Sequence, residues 1–403
     1  MRIRGAQAKT IPQQNSAFEV LGGIEKRWAS YQPWLKTIGY SLRRRYQPGW
    51  KASWLTSGIP ERESEDSLVL NFRALVLDAI RDSDGRRVAL KLVPTRTKEL
   101  PIWQYLNSPE RASDPRNHTV PLLAVHPLPD TDEHVLAVMP LLLYYDTLRF
   151  ETLGELLSCL YHLVQGLAFL HEHNIAHLDM CDQNTMLDPG SGQTGLFPKG
   201  FHPVRALCYV PNPKSPRVAS NDPHSCRTLA QVNYYIIDFG ESVQFESFEA
   251  REYITGATGH DLDVPEFATN DPYDPFPLDI RATGDMLHTA FFKPSRGYQG
   301  LEFLKPIITE MQRDDPKERP SAMDVLSKVH SLLEEQTLTS LRTPLRGIQE
   351  DLGIDKDDAR KHIYEARVKR YHPIQPPIPG LKTEEVEPMT LIAKILGRLR
   401  LLF

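Results

Sequence analysis

His177-Leu178-Asp179-Met180-Cys181-Asp182-Gln183-Asn184, followed at once by Thr185-Met186-Leu187, is the stretch on which the reading of the fold turns. Just before it, Leu153 to Glu172 repeats apolar residues at helical spacing (Leu156, Leu157, Leu160, Leu163, Val164, Leu167, Leu170), which predicts a core helix. The loop that follows such a helix is anchored, and it carries a carboxylate, Asp179, and an amide, Asn184. Further along, Tyr234-Tyr235-Ile236-Ile237-Asp238-Phe239-Gly240 reads as an apolar strand that delivers one carboxylate at its end, with Gly240 permitting a sharp exit. Toward the N-terminus, Val88-Ala89-Leu90-Lys91 sets a lysine on an apolar strand, where a charge needs a partner. Glu99 opens a short helix patterned Glu99, Ile102, Trp103, Leu106, and is the candidate partner. Each string alone has an ordinary reading: a lysine snorkelling from an edge strand, or carboxylates capping turns. Their joint occurrence in this order points to a site.

Working outward, Leu68 to Ile80 and Arg87 to Val93 are β-rich, and Asp84-Gly85 between them signals a hairpin. Lys98 to Leu106 reads as a short helix, then Val120 to Val125 and His134 to Met139 as strands. Helical patterns follow at Ile280 to Phe291, Gly300 to Gln312 and Ser321 to Glu335. The expectation is an α+β, two-lobed fold in residues 68–338, with a small antiparallel β-rich lobe over 68–140 and a mainly helical lobe over 141–338. Residues 189–233, rich in Pro, Gly, Ser and Asn, read as a long surface insertion. Residues 1–67 hold four of the five tryptophans, Trp28, Trp34, Trp50 and Trp54, and read as an arm wrapped on the domain's own surface or offered to a partner. Residues 339–403 form a C-terminal extension, and no internal repeat is visible.

Composition bounds the function. A chain of 403 residues with 40 % hydrophobic and 25 % charged residues reads as globular, and its net charge of −5 gives no global basic field for nucleic acid. Four scattered cysteines make no disulfide framework, so an intracellular, reducing compartment is expected. No stretch approaches the roughly 18 consecutive apolar residues of a membrane span. The segment Leu391 to Phe403 alternates basic and apolar residues, so it reads either as an interfacial helix on a membrane surface or as a helix docked on the helical lobe. His202, Cys208, His224 and Cys226 could supply zinc ligands, though their spacing fits no compact knuckle and a solvated loop is the simpler reading.

Phosphoryl transfer to a hydroxyl needs a carboxylate to orient or accept the proton and oxygen ligands for the metal that neutralises the phosphates. On these strings the chain resembles a eukaryotic-type protein kinase: V-A-I-K is matched at Val88 to Lys91, H-R-D-L-K-x-x-N at His177 to Asn184, and D-F-G at Asp238 to Gly240. The resemblance runs from about Leu68 to His330, and Val264-Pro265-Glu266, Asp279 and Arg319 continue it. It also resembles a divergent fungal group of such proteins in its arm, in Pro198 to Pro203 and in Pro272 to Phe276.

The resemblance implies ATP and magnesium as cofactors and Ser/Thr hydroxyls of a protein as acceptor. Lys91 and Glu99 would form the ion pair that holds the phosphates, Asp179 would act as base, and Asn184 and Asp238 would ligate magnesium. Met139 would be the gatekeeper and Pro140-Leu141 the hinge, with Ala89 and Met186 sandwiching adenine. His177, Phe239 and Trp103 would stack between the lobes, and Glu266 would pair with Arg319.

The pattern also breaks. No G-x-G-x-x-G precedes Lys91, since Leu70 to Val76 has no glycine at all. Leu178 and Cys181 replace the family's arginine and lysine. These departures leave a second reading, a pseudokinase that binds or scaffolds with little transfer. A small-molecule phosphotransferase is a third, which lacks a reason for Val264 to Glu266 and Arg319.

Overall fold

A computed structural model describes residues 17–348 apart from 70–74, 191–194, 198–199, 204–207, 210–218, 221–226, 229, 231 and 261. The strands are β1 Tyr40–Leu42, β2 Val76–Arg81, β3 Arg87–Pro94, β4 Ala124–Pro127, β5 His134–Pro140, β6 Leu143–Tyr144, β7 Ile175–Ala176, β8 Thr185–Asp188, β9 Cys208–Tyr209, β10 Ala219–Ser220, β11 Asn233–Ile236 and β12 Val243–Gln244. The helices are α1 Gly23–Thr37, α2 Trp54–Ser57, α3 Glu99–Leu106, α4 Pro109–Ala112, α5 Leu153–Glu172, α6 Pro275–Phe292, α7 Lys305–Met311, α8 Ala322–Glu334 and α9 Leu338–Leu341. The fold is α+β, with an antiparallel sheet in the first part of the chain and helices dominating the second.

The period of two along a strand decides what the main sheet does. The sheet runs in the order β1-β2-β3-β5-β4, all antiparallel, with Ala89 opposite Met139 and Lys91 opposite Ala137. Val88, Leu90 and Leu92 share one face with Leu136 and Val138, and this face packs against Trp28, Tyr31 and Leu35 of α1. Ala89, Val93, Ala137 and Met139 turn the other way, into the main core that includes α5. Lys91 lies on this second face by the same alternation. A shift of register by one residue would send the lysine to the α1 side.

Sequence periodicity located most elements but misplaced several ends. Of the expected strand Leu68 to Ile80, the described part is β2 from Val76, with 70–74 outside the described residues, and Asp66 organises the turns just before Leu68. Its carboxylate accepts from Trp50 Nε1 (2.9 Å), Ser53 N (2.9 Å) and Ser53 Oγ (2.5 Å). The arm packs on its own domain: α1 covers the outer face of the sheet, and β1 adds the edge strand beside β2, with Tyr40 opposite Arg81. The described residues of the connection from β1 to β2, 43–69, fold into short helices and turns. Gly85, at φ 70°, supplies the hairpin turn before β3.

Several of the described residues of 189–233 are covered, where composition reads a surface insertion. Leu196, Phe197, Phe201, Arg227 and Ala230 are buried. Arg227 donates to the carbonyls of Tyr145 (2.6 Å) and Leu148 and lies over the Phe150 ring at 4.2 Å, which compensates for burying a guanidinium. His202 is also buried, bonded at 3.2 Å to Glu65, rather than solvated. His224, Cys226, the glycine-free stretch 70–74 and Leu391 to Phe403 lie outside the described residues. Among the described residues, α5 alone is long and apolar enough to cross a membrane, and it is buried in the core.

Candidate functional site

Two clusters converge beneath the sheet. In the first, β3 presents Lys91, and α3 lies close enough for Glu99, in its first turn, to accept from Nζ at 2.5 Å. Asp238, two residues past the end of β11, accepts from the same ammonium at 2.8 Å. Burial opposes the charge on Lys91, but Asp238 and Glu99 outweigh it and raise its pKa. Burial likewise pushes Asp238 up, and Lys91 more than reverses this, leaving the carboxyl below its ordinary range. The cluster is a fixed cation between two carboxylates. Behind it Val76, Trp103, Val120, Met139 and Phe239 enclose a space of about 20 Å³, room for about one water.

The second cluster is built from turns. Asp279 lies inside α6, which starts at Pro275, ahead of the expected helical pattern from Ile280, because Asp274 caps it by accepting from Phe276 N at 3.1 Å. The Asp279 carboxylate is fully buried and accepts from His177 N and Leu178 N, both at 2.7 Å, with His171 Nε2 at 3.0 Å. This clamp holds Leu178 at φ 65°, a left-handed conformation that costs a side-chain-bearing residue on the order of 1–2 kcal/mol. Asp238, at φ 68°, carries the same kind of strain and is held by Lys91. His177 accepts at Nδ1 from Asp179 N (3.2 Å), so Nε2 donates to the Ile237 carbonyl (3.0 Å), and its ring meets Phe239 edge-on at 5.6 Å. The turn after β7 and the turn after β11 are thus tied to each other through His177 and Ile237.

Asp179 and Asn184 face each other. Asn184 Nδ2 donates to Asp179 Oδ2 at 2.7 Å and to its carbonyl at 2.9 Å, while Ile237 N donates to the Asn184 carbonyl at 3.0 Å. That last bond brings Asn184 beside the residue preceding Asp238. Sequence reasoning missed the remaining neighbour of Asp179. His260, from the stretch after β12, donates to Asp179 Oδ1 from its backbone N and from Nδ1, both at 2.7 Å. Gly259 makes this docking possible at φ 75°, since a Cβ there would stand 2.5 Å from the Leu178 carbonyl. Cys181 Sγ lies 3.7 Å from His260 Nδ1. Burial, then the charge of Asp179, pushes its thiol up to about 11, so it is a neutral thiol at neutral pH.

The other anticipated positions fall as follows. Ala89 and Met139 are buried neighbours across the β3–β5 ladder, and Leu141 and Met186 pack on the same core. Trp103 is buried, donating from Nε1 to the Val120 carbonyl at 2.8 Å. Arg319 and Glu266 form a buried bidentate pair, with Nη2 3.0 Å from Oε2, as anticipated. Leu178 packs with Val264, Tyr273 and Phe276 in a small separate apolar cluster. The signal for His260 was absent from local pattern because only a glycine and a chain reversal bring it to Asp179. Comparison with known proteins leaves the geometry to speak for itself: no family model and no curated protein matches the chain.

Proposed function

We propose that this chain is a protein-kinase-like phosphotransferase, its β-rich and helical parts forming the two lobes of that architecture, which moves the γ-phosphate of ATP to a Ser or Thr hydroxyl of a protein. The observation that carries the reading is the convergence of Lys91, Glu99 and Asp238 on one ammonium (2.5 and 2.8 Å), beside the hydrogen-bonded pair Asp179 and Asn184. Lys91, fixed by two carboxylates, is a preorganised positive charge for phosphate oxygens. Asp179, anchored at Oδ2 by Asn184, would orient an acceptor hydroxyl and take its proton. Asp238 and Asn184 would hold magnesium, and the fit is chemical: an ionised carboxylate held below its ordinary pKa and an amide oxygen are hard ligands of the kind that ion takes. Magnesium, when bound with ATP, neutralises the phosphate charge during transfer. Ala89, Met139, Leu141 and Met186 would line the adenine site.

A second reading, a nucleotide-binding pseudokinase with little transfer, is favoured by two observations. His260 occupies Asp179 Oδ1 with two donors, and Cys181 stands where the family's lysine would. Magnesium-dependent ATP binding and γ-phosphate transfer to a generic peptide separate the readings. Active parent protein should lose transfer by a factor on the order of a thousand or more in Asp179→Asn and in Lys91→Ala. Binding without transfer in the parent selects the pseudokinase, and neither binding nor transfer sinks both.

A further inference from the structure

Three donor atoms of different chemistry meet at the mouth of the second cluster: Asp179 Oδ1, Cys181 Sγ and His260 Nδ1 all lie within 4.8 Å of one another. His260 Nδ1 is 2.7 Å from the carboxylate oxygen and 3.7 Å from the sulfur. In the protein alone, the ring N–H goes to the carboxylate, and the sulfur stands at the longer contact. A cation at their centre would take all three as ligands, with the Cys181 thiol proton released to solvent and the imidazole proton moved to Nε2. Tetrahedral zinc bonds at about 2.0–2.3 Å require donor separations of roughly 3.3–3.6 Å. The sulfur–nitrogen distance already fits that span, and the oxygen–nitrogen distance needs to widen by about half an ångström. The widening falls on His260, which is half exposed on a loop, whereas Asp179 is held by Asn184 and by the Asp279 clamp behind it.

A second feature argues that the meeting is built and not incidental. Gly259, at φ 75°, lets the chain pass so close to Leu178 and Asp179 that a Cβ would reach 3.0 Å from Asp179 Oδ1 and 2.5 Å from the Leu178 carbonyl. That approach delivers the imidazole to the two residues of the turn. The set has one face open, because His260 is exposed and Cys181 partly so. Three protein ligands and an open position for water make a coordination shell of the kind zinc accepts. The mixture of thiol, imidazole and carboxylate favours a borderline-soft ion over magnesium, which takes hard oxygen ligands.

We infer that Asp179, Cys181 and His260 form a binding site for a thiophilic divalent cation, zinc by its chemistry. The site is separate from Asn184 and Asp238, the oxygen ligands assigned to magnesium. A regulatory consequence rests on the phosphotransferase reading: an ion on Asp179 Oδ1 takes the oxygen that an acceptor hydroxyl needs, so zinc holds the enzyme off.

Cobalt(II), a spectroscopic substitute for zinc, tests the site directly on the full chain. The expected result is one equivalent bound with a thiolate-to-cobalt charge-transfer absorption. Cys181→Ser should abolish that band, and His260→Ala should weaken binding at least about tenfold. Both positions are at least partly exposed, and thermal unfolding of each variant verifies that the fold is retained. Cobalt binding with no thiolate band, or a band unchanged in both variants, overturns the proposal. Peptide phosphorylation is read separately with added zinc or a chelator. Inhibition by zinc in the parent, relieved in His260→Ala, is expected. A chain that shows the cobalt band but no transfer under any condition would overturn the phosphotransferase reading and leave the metal site standing.

Discussion

The lysine side and the aspartate side of the site are held by different means. Lys91 and Glu99 stand on a strand and a helix, regular elements whose periodicity aims their side chains at one another. Asp179 stands in a turn whose neighbour Leu178 is strained, and its position depends on a buried carboxylate a hundred residues away, Asp279. One side is fixed by register, the other by a tertiary clamp. It follows that the aspartate side is where single substitutions should do disproportionate damage, and where a loop such as Gly259-His260 can intervene.

The largest expected effect breaks the clamp. Asp279→Ala orphans the amides of His177 and Leu178 and should cost about 3 kcal/mol or more, read by denaturant unfolding, because buried donors lose a charged acceptor. Transfer should fall with it. Loss of less than about 1 kcal/mol would show that the turn is held by something other than Asp279.

Acid should distinguish the two sides from the core behind them. Lys91 has a raised pKa and Asp238 a lowered one, so their mutual stabilisation is fully present between the ordinary carboxylate range and the ordinary lysine range. It is lost only as pH falls through the depressed pKa of Asp238 or rises through the raised pKa of Lys91. His162 on α5 behaves otherwise: burial, then the neighbouring His118, lowers it to about 3. A depressed histidine pKa means that the unfolded chain binds the proton first, so stability present above about pH 6.5 is lost as pH falls toward 3. The full loss is on the order of 4–5 kcal/mol. Melting temperature should therefore decline with acid starting near pH 6.5, and His162→Phe should flatten that decline; an unchanged slope in the variant would assign it elsewhere.

Smaller effects sharpen the comparison. Gly259→Ala forces a Cβ against the Leu178 carbonyl and should release the loop from Asp179 at a cost of about 1–2 kcal/mol. Limited proteolysis between residues 240 and 265 should accelerate several-fold, while the same substitution leaves the Lys91 side intact. Least of all, Thr258→Glu should change transfer less than about twofold. Leu178 offers an apolar contact with Val264, Tyr273 and Phe276 where the resembled family offers an arginine to a phosphate, so added negative charge there has no cation in the turn to order it. A rise of tenfold or more would show that the segment is switched by charge.

Much of this was legible in the linear chain. The apolar stripe of Leu153 to Glu172 became α5 at those limits, because a buried helix must repeat its apolar residues every three to four positions. The pairing of Lys91 with Glu99 was legible in the strand and helix patterns, and that of Glu266 with Arg319 was implied by the resemblance, but Asp238 as a second partner of Lys91 was not foreseen. Less legible was the approach to β2, where Asp66 recruits Trp50 and Ser53 into a turn just before Leu68. The composition of residues 189–233 reports turns, through its prolines and glycines, and does not reveal that Phe197, Phe201 and Arg227 are covered.

The sequence by itself determined the local elements and the residue types that carry chemistry, because helix and strand periods are short-range and a lysine on an apolar strand demands a partner. Only the tertiary structure decided what surrounds Asp179. Asp279 reaches the turn from α6, and His260 arrives through one left-handed glycine. No local pattern encodes either approach, since both depend on where distant backbone comes to rest once the core is packed.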